Sequence, residues 1–305
     1  MSFLATQLIG FGGDTESAGG GSAATIGYFG GGISTGGSQQ SSVYKYTFAG
    51  DGMAAGTSLS AARSDLAACA STTVGYFGGG LTPEQSTVYK YTFSGDGMAT
   101  GTALTAARYA VVAFASATVG YFAGGNGSSV TVSTVYKYTF AGDGVSSGTS
   151  LSAARDYGTS FASGAVGYYA GGRDSDGVAS AVVYKYTFSG DSMSSGTSLS
   201  AARVFGAGCA STTVGYFGGG RDGAGSEVST VYKYTFAGDG MATGTSLAVA
   251  KRFLGACASA SAGYFAGGFD GTVYTTVDKY TFAGDSVASG TSLSAERRNL
   301  AATQG

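Results

Sequence analysis

"VYKYTFAGDGMA" occupies residues 43–54 and returns letter for letter at residues 231–242. Near-copies begin at Val88, Val135, Val183 and Val277, so one sentence is written six times. In the second copy Tyr89, Tyr91 and Phe93 fall on one side and Val88, Lys90 and Thr92 on the other. That two-residue alternation marks a strand, whose successive side chains point to opposite faces. The glycine and aspartate that follow tolerate positive φ and form short side-chain hydrogen bonds, which suits a tight turn.

Working outward, the glycine of "GYF" or its variants serves as a ruler. It stands at Gly27, Gly75, Gly120, Gly167, Gly215 and Gly263, at steps of 48, 45, 47, 48 and 48 residues. A period of about 40–50 residues belongs to propeller blades. Four strands are expected in the second copy: "LAACAST" (66–72), "TVGYFGGG" (73–80), "TVYKYTF" (87–93) and, more weakly, "GTALTAAR" (101–108). No segment shows helical periodicity. The pattern predicts an all-β chain, a six-bladed β-propeller of four-stranded antiparallel blades. Closing the ring leaves no exposed end face. One propeller domain is expected over 17–305, with repeats near 17–61, 62–106, 107–153, 154–201, 202–249 and 250–295. "RNLAATQG" (298–305) resembles "RSDLAACAS" (63–71), while "ESAGGGSAAT" (16–25) makes a poor strand. The C-terminal residues are therefore expected to close the first blade as its innermost strand. "FLATQLIGFGG" (3–13) competes for that place, and residues 1–16 are otherwise an N-terminal arm or extra strand.

These residues resemble the kelch repeat. A kelch blade ends its second strand with a double glycine, here Gly79-Gly80, and then carries a tyrosine, here Tyr91, and later an arginine, here Arg108. The kelch tryptophan position holds Met53, Met98, Val145, Met193, Met241 and Val287, a uniform departure that points to a divergent lineage. The near-identical copies look similar to kelch-like proteins of bacteria and their phages. The resemblance spans about residues 20–305. It implies a fold and not one activity, since such propellers serve as enzymes, adaptors and structural proteins. The copper- and zinc-dependent propeller enzymes rely on histidine ligands, and this chain has no histidine.

Composition narrows the function further. There are 56 glycines, one proline and no tryptophan, yet 21 tyrosines and 18 phenylalanines supply material for a core. Charged residues are 11% of the chain and the net charge is −2, where about 25% charged is ordinary. Nothing here makes the basic footprint of nucleic-acid binding. No apolar run approaches the roughly 18–20 residues of a membrane helix, so membrane insertion is not expected. "MSFLATQLIGFGG" (1–13) lacks the positive n-region and long apolar stretch of a secretory signal. Cys69, Cys209 and Cys257 sit at equivalent places, where other copies carry Phe114 and Phe161. A position that exchanges Cys for Phe is a packing position.

Features shared by all copies mostly build the fold, and features in one or two copies are where function can hide. Without histidine there is no Ser-His-Asp or Cys-His nucleophile. A carboxylate-based hydrolase needs only two acids, but Asp51, Asp96, Asp143, Asp191, Asp239 and Asp285 recur in the "GD" turn and read as turn-forming. No catalytic residue, metal ligand or cofactor is assigned, and the chain is expected not to be an enzyme. The segment joining second and third strands varies most, and it shares a face with a cation on the connection to the next blade. That cation is Arg63, Arg108, Arg155, Arg203, Lys251-Arg252 and Arg297-Arg298. Arginine forks suit carboxylate, phosphate or an acidic sugar, although recurrence in every copy favours a structural role tying down carbonyls. The candidate binding set is Arg63, Arg108, Arg155, Arg203, Arg252 and Arg297 with the loop residues Arg173, Asp174, Arg221 and Asp222. "RDSDG" (173–177) resembles a calcium-loop fragment but lacks its downstream glutamate. The expected function is a structural or recognition component of a larger assembly, such as a phage virion or surface appendage, with other protein subunits or a cell-surface glycan as partners. The alternative is a free glycan- or protein-binding module. A virion or extracellular surface suits either better than the cytoplasm.

Overall fold

The computed structural model describes residues 24–81 and 83–305. The expected N-terminal arm at 1–16 and the rival strand at 3–13 lie outside them. Six four-stranded antiparallel sheets form the blades. Each innermost strand touches those of its two neighbours until the cycle closes, so the chain is a six-bladed β-propeller. Blade 2 runs from the axis outward as Ala67–Ala70, Val74–Gly78, Val88–Thr92 and Gly97–Thr100. In blade 1 the innermost strand is Ala301–Gln304, antiparallel to Ile26–Gly30 with Tyr28 opposite Thr303. The last strand of the chain thus completes the first blade.

The fourth strand differs from its expected place. It is Gly97–Thr100, directly after the turn, with Met98 opposite Tyr91. "GTALTAAR" (101–108) instead crosses to the next blade, anchored by the buried Leu104. The physical reason is the tightness of the "GD" turn: Asp96, at φ 54°, reverses the chain at once, so the returning strand begins without delay.

Alternation in "VYKYT" serves two neighbours rather than a core and a solvent face. Tyr44 and Tyr46 pack on Tyr264 and Val277 of blade 6, while Val43 joins Phe77 and Tyr91 of blade 2. Each of the six seams between blades holds one such apolar cluster. The ruler glycine makes room there: a Cβ on Gly120 would fall 2.6 Å from the Cys69 sulfur. Cys69, Cys209 and Cys257 are buried free thiols, and burial pushes their pKa up.

Candidate ligand-binding cup at the propeller axis

The recurring cation does not form an exposed ring. Arg63, Arg108, Arg203 and Arg297 are at most 5% exposed, set in the seams. Arg63 donates to the carbonyls of Gly79 and Thr87 at 2.9 and 3.3 Å and to the Tyr89 hydroxyl at 2.8 Å. Arg108 repeats this with Gly124, Thr134 and Tyr136. Arg203 and Arg297 reach Tyr232 and Tyr44. Arg155 lies 3.8 Å from Asp174. In the sixth copy Lys251 takes the seam position, and Arg252 sits one residue further on, paired with Glu227.

The loop residues are also engaged. Arg173 forks onto the buried carboxylate of Asp156, with Nε at 2.7 Å, and its guanidinium carbon lies 4.7 Å from the Tyr157 ring centre. Asp174 accepts the backbone N–H groups of Asp176 and Val178, and Asp222 those of Ala224 and Ser226. Both carboxylates are therefore committed to their own turns, and Arg221 donates to the Gly225 carbonyl. Among the described residues no group of three or more Cys, Asp and Glu side chains converges as metal ligands would.

The structure brings together a different set. Two residues after each seam cation come Asp65, Ala110, Tyr157, Phe205, Phe253 and Asn299, all at φ between 48° and 62°. Each donates its N–H to the carbonyl of its counterpart in the preceding blade. The bonds run Ala110 to Asp65, Tyr157 to Ala110, Phe205 to Tyr157, Phe253 to Phe205, Asn299 to Phe253 and Asp65 to Asn299, at 2.7–3.1 Å. The result is a closed backbone collar around the axis. Left-handed backbone costs about 1–2 kcal/mol for a residue with a Cβ and is eased in Asn and Asp. Three bulky aromatics in that conformation are outliers, and such outliers cluster where function holds them.

The collar rims an axial cavity of about 140 Å³. One wall is aromatic: Phe205 lies 4.7 Å from Tyr157 and 4.6 Å from Phe253, centre to centre. The facing wall is polar. Asn299 donates through Nδ2 to Asp65, whose other carboxylate oxygen accepts from Ser64 Oγ at 2.8 Å. Burial raises the Asp65 pKa, and the bonds from Ser64 and Asn299 oppose that shift. Asn299 Oδ1 is buried without a hydrogen-bond partner. The floor is of small residues, among them Ala113, Ser160, Gly208 and Ala256. The variable loops flank the rim, since their first residues bridge to the residue before each collar position, as Leu81 to Ser64 and Arg173 to Asp156.

Sequence reasoning passed over these six collar positions. One signal was available: two residues after the recurring cation the six copies read Asp, Ala, Tyr, Phe, Phe and Asn. In comparisons with known proteins, the chain matches no family and no curated relative.

Proposed function

We propose that this protein is a non-enzymatic recognition module whose ligand enters the axial cup. The observation that carries the reading is the collar: Tyr157, Phe205 and Phe253 occupy strained backbone positions where Asn or Asp would cost less, and all three face one cavity. A concave, mostly apolar site with a few convergent polar groups is the usual form of a small-ligand pocket. The seam arginines support the blades in this reading and take no ligand. We also read the blades as a divergent kelch type on the strength of Gly79-Gly80, Tyr91 and Arg108.

Ala110→Phe tests the site, because Phe already occupies the equivalent place in the fourth and fifth connections. Glycan and peptide arrays probed with the wild-type chain are expected to give hits that this variant loses. Hits that survive a filled cup would place the binding surface elsewhere.

A second reading is a disc built into a larger assembly, a virion or surface appendage. It is favoured by the outermost strands, such as Gly52–Gly56 and Ser192–Ser195, which carry no charge and are largely exposed. Uncharged open edges invite pairing with another chain. Sedimentation of native source material with mass spectrometry of each fraction checks it: recovery only among small soluble proteins would remove this reading.

A further inference from the structure

Charge, size and hydrogen-bonding capacity at the cup narrow its ligand. The cup is balanced in charge: Arg173 is paired with Asp156, Arg252 with Glu227, and the field of Arg298 acts on Asp65. An anion entering would meet the Asp65 carboxylate. A cation would meet the guanidinium groups that stack at the rim on Tyr157, Phe253 and Phe269. A neutral ligand avoids both penalties.

Its polar wall is rich in acceptors. Each Asp65 oxygen receives one bond while having capacity for another. A ligand carrying hydroxyl donors is therefore favoured. The opposite wall offers aromatic faces, whose negative π surface attracts polarised C–H groups. The volume of about 140 Å³ suits one six-membered ring, since a cavity of about 150 Å³ holds benzene.

Resting on the reading of the cup as the ligand site, we infer that it takes one terminal, uncharged pyranose residue of a glycan. The apolar face of the sugar stacks on Phe205 and Phe253, and its hydroxyls donate to Asp65, which Asn299 holds in place through Nδ2. The acidic sugars that an open arginine ring would suit are excluded by the same geometry.

Saturation-transfer NMR on the full chain tests this with methyl glucoside, methyl galactoside, methyl mannoside, glucosamine, N-acetylneuraminic acid and N-acetyltyrosinamide as probes. At least one neutral methyl hexoside is expected to bind, the charged sugars not. Affinity should fall at least tenfold in Phe253→Ala and in Asn299→Ala. Thermal melts of both variants guard against a misfolded cup, and Phe205→Asn provides a third variant should either fail to fold. Binding of N-acetyltyrosinamide alone, lost in Phe253→Ala, would overturn the glycan inference and leave the recognition cup standing, with a peptide as its ligand. Hexoside binding indifferent to all three variants would overturn both. Binding of no hexoside would overturn the glycan inference, and the arrays with Ala110→Phe would then decide the cup separately.

Discussion

Asp278 stands where the other five blades carry the first tyrosine of "VYKYT", and Lys251 stands where they carry the seam arginine. The two departures meet in space: Lys251 Nζ lies 3.3 Å from the Asp278 carboxylate, and both side chains are at most 4% exposed. Burial lowers the Lys251 pKa, which the Asp278 charge opposes. In four of the other five seams the guanidinium both lies over and donates to a tyrosine, as Arg63 does with Tyr89. Asp278→Tyr alone strands a buried ammonium without its counter-charge, and breaking a buried pair costs about 3–5 kcal/mol. Adding Lys251→Arg rebuilds the pair of the other blades and is expected to recover at least half of that loss in urea melts. Strictly additive effects would mean that the two sites are uncoupled. A second residue-scale prediction concerns Gly79, at φ +71°, where a Cβ would fall 2.6 Å from the Arg108 carbonyl oxygen. Gly79→Val combines a left-handed β-branched residue with a clash against backbone and is expected to cost about 3 kcal/mol or more. An unchanged denaturation midpoint would show that the second strand does not end in this turn.

Between the seam cation and the innermost strand lies the short element that makes the site, and its positions share a backbone conformation but no side-chain type. Phe205→Asn separates the two roles. Asn accepts left-handed backbone more readily than Phe, so stability is expected to stay within about 1 kcal/mol of wild type while ligand capture is lost. A large drop in melting temperature would show that Phe205 holds the collar together. This element also explains what the sequence left hidden. The third strand was legible because Tyr89, Tyr91, Val88 and Lys90 alternate strictly, and the second because "GYF" recurs at a fixed step. The outermost strand was misplaced because "GMAT" (97–100) has one large apolar side chain and no apolar alternation, while the connecting "GTALTAAR" holds a leucine that looks strand-like. At the collar the letters follow no period at all. What the six residues have in common is the N–H bond to the preceding blade, a property of the backbone that only three-dimensional closure creates.

At the scale of the whole molecule, closure rests on two devices. The repeated aspartates do more than turn the chain. Each forms an ion pair with a lysine of the preceding blade, at 2.6–3.0 Å from Lys45–Asp96 round to Lys279–Asp51, which joins the sixth blade to the first. The lysine bonds hold the carboxyls of Asp96, Asp239 and Asp285 below their usual pKa. A depressed folded pKa gives stability that is present above the unfolded value and lost as pH falls through the folded one. The melting temperature is therefore expected to be level above about pH 5 and to fall below about pH 4. These pairs are partly exposed, each worth about 0.2–1 kcal/mol, so 1 M salt should also lower it modestly. Acid resistance down to about pH 2 would deny the girdle a role. The other device is the C-terminal strand. Ala301–Gln304 pairs with Ile26–Gly30, and the Gly305 carbonyl accepts the N–H groups of Thr25 and Ile26. Without it blade 1 keeps three strands, and the chain between blades 6 and 1 loses its anchor. Asn299, two residues before that strand, is the collar residue that leads into it, so the polar wall of the cup depends on the ring being shut. Deleting residues 301–305 is expected to lower the melting temperature by about 10 °C or more and to abolish ligand capture, whereas Asn299→Ala should abolish capture alone. A truncated chain that melts like the full one would move closure to the girdle. One that melts early yet still binds would free the cup from dependence on the clasp.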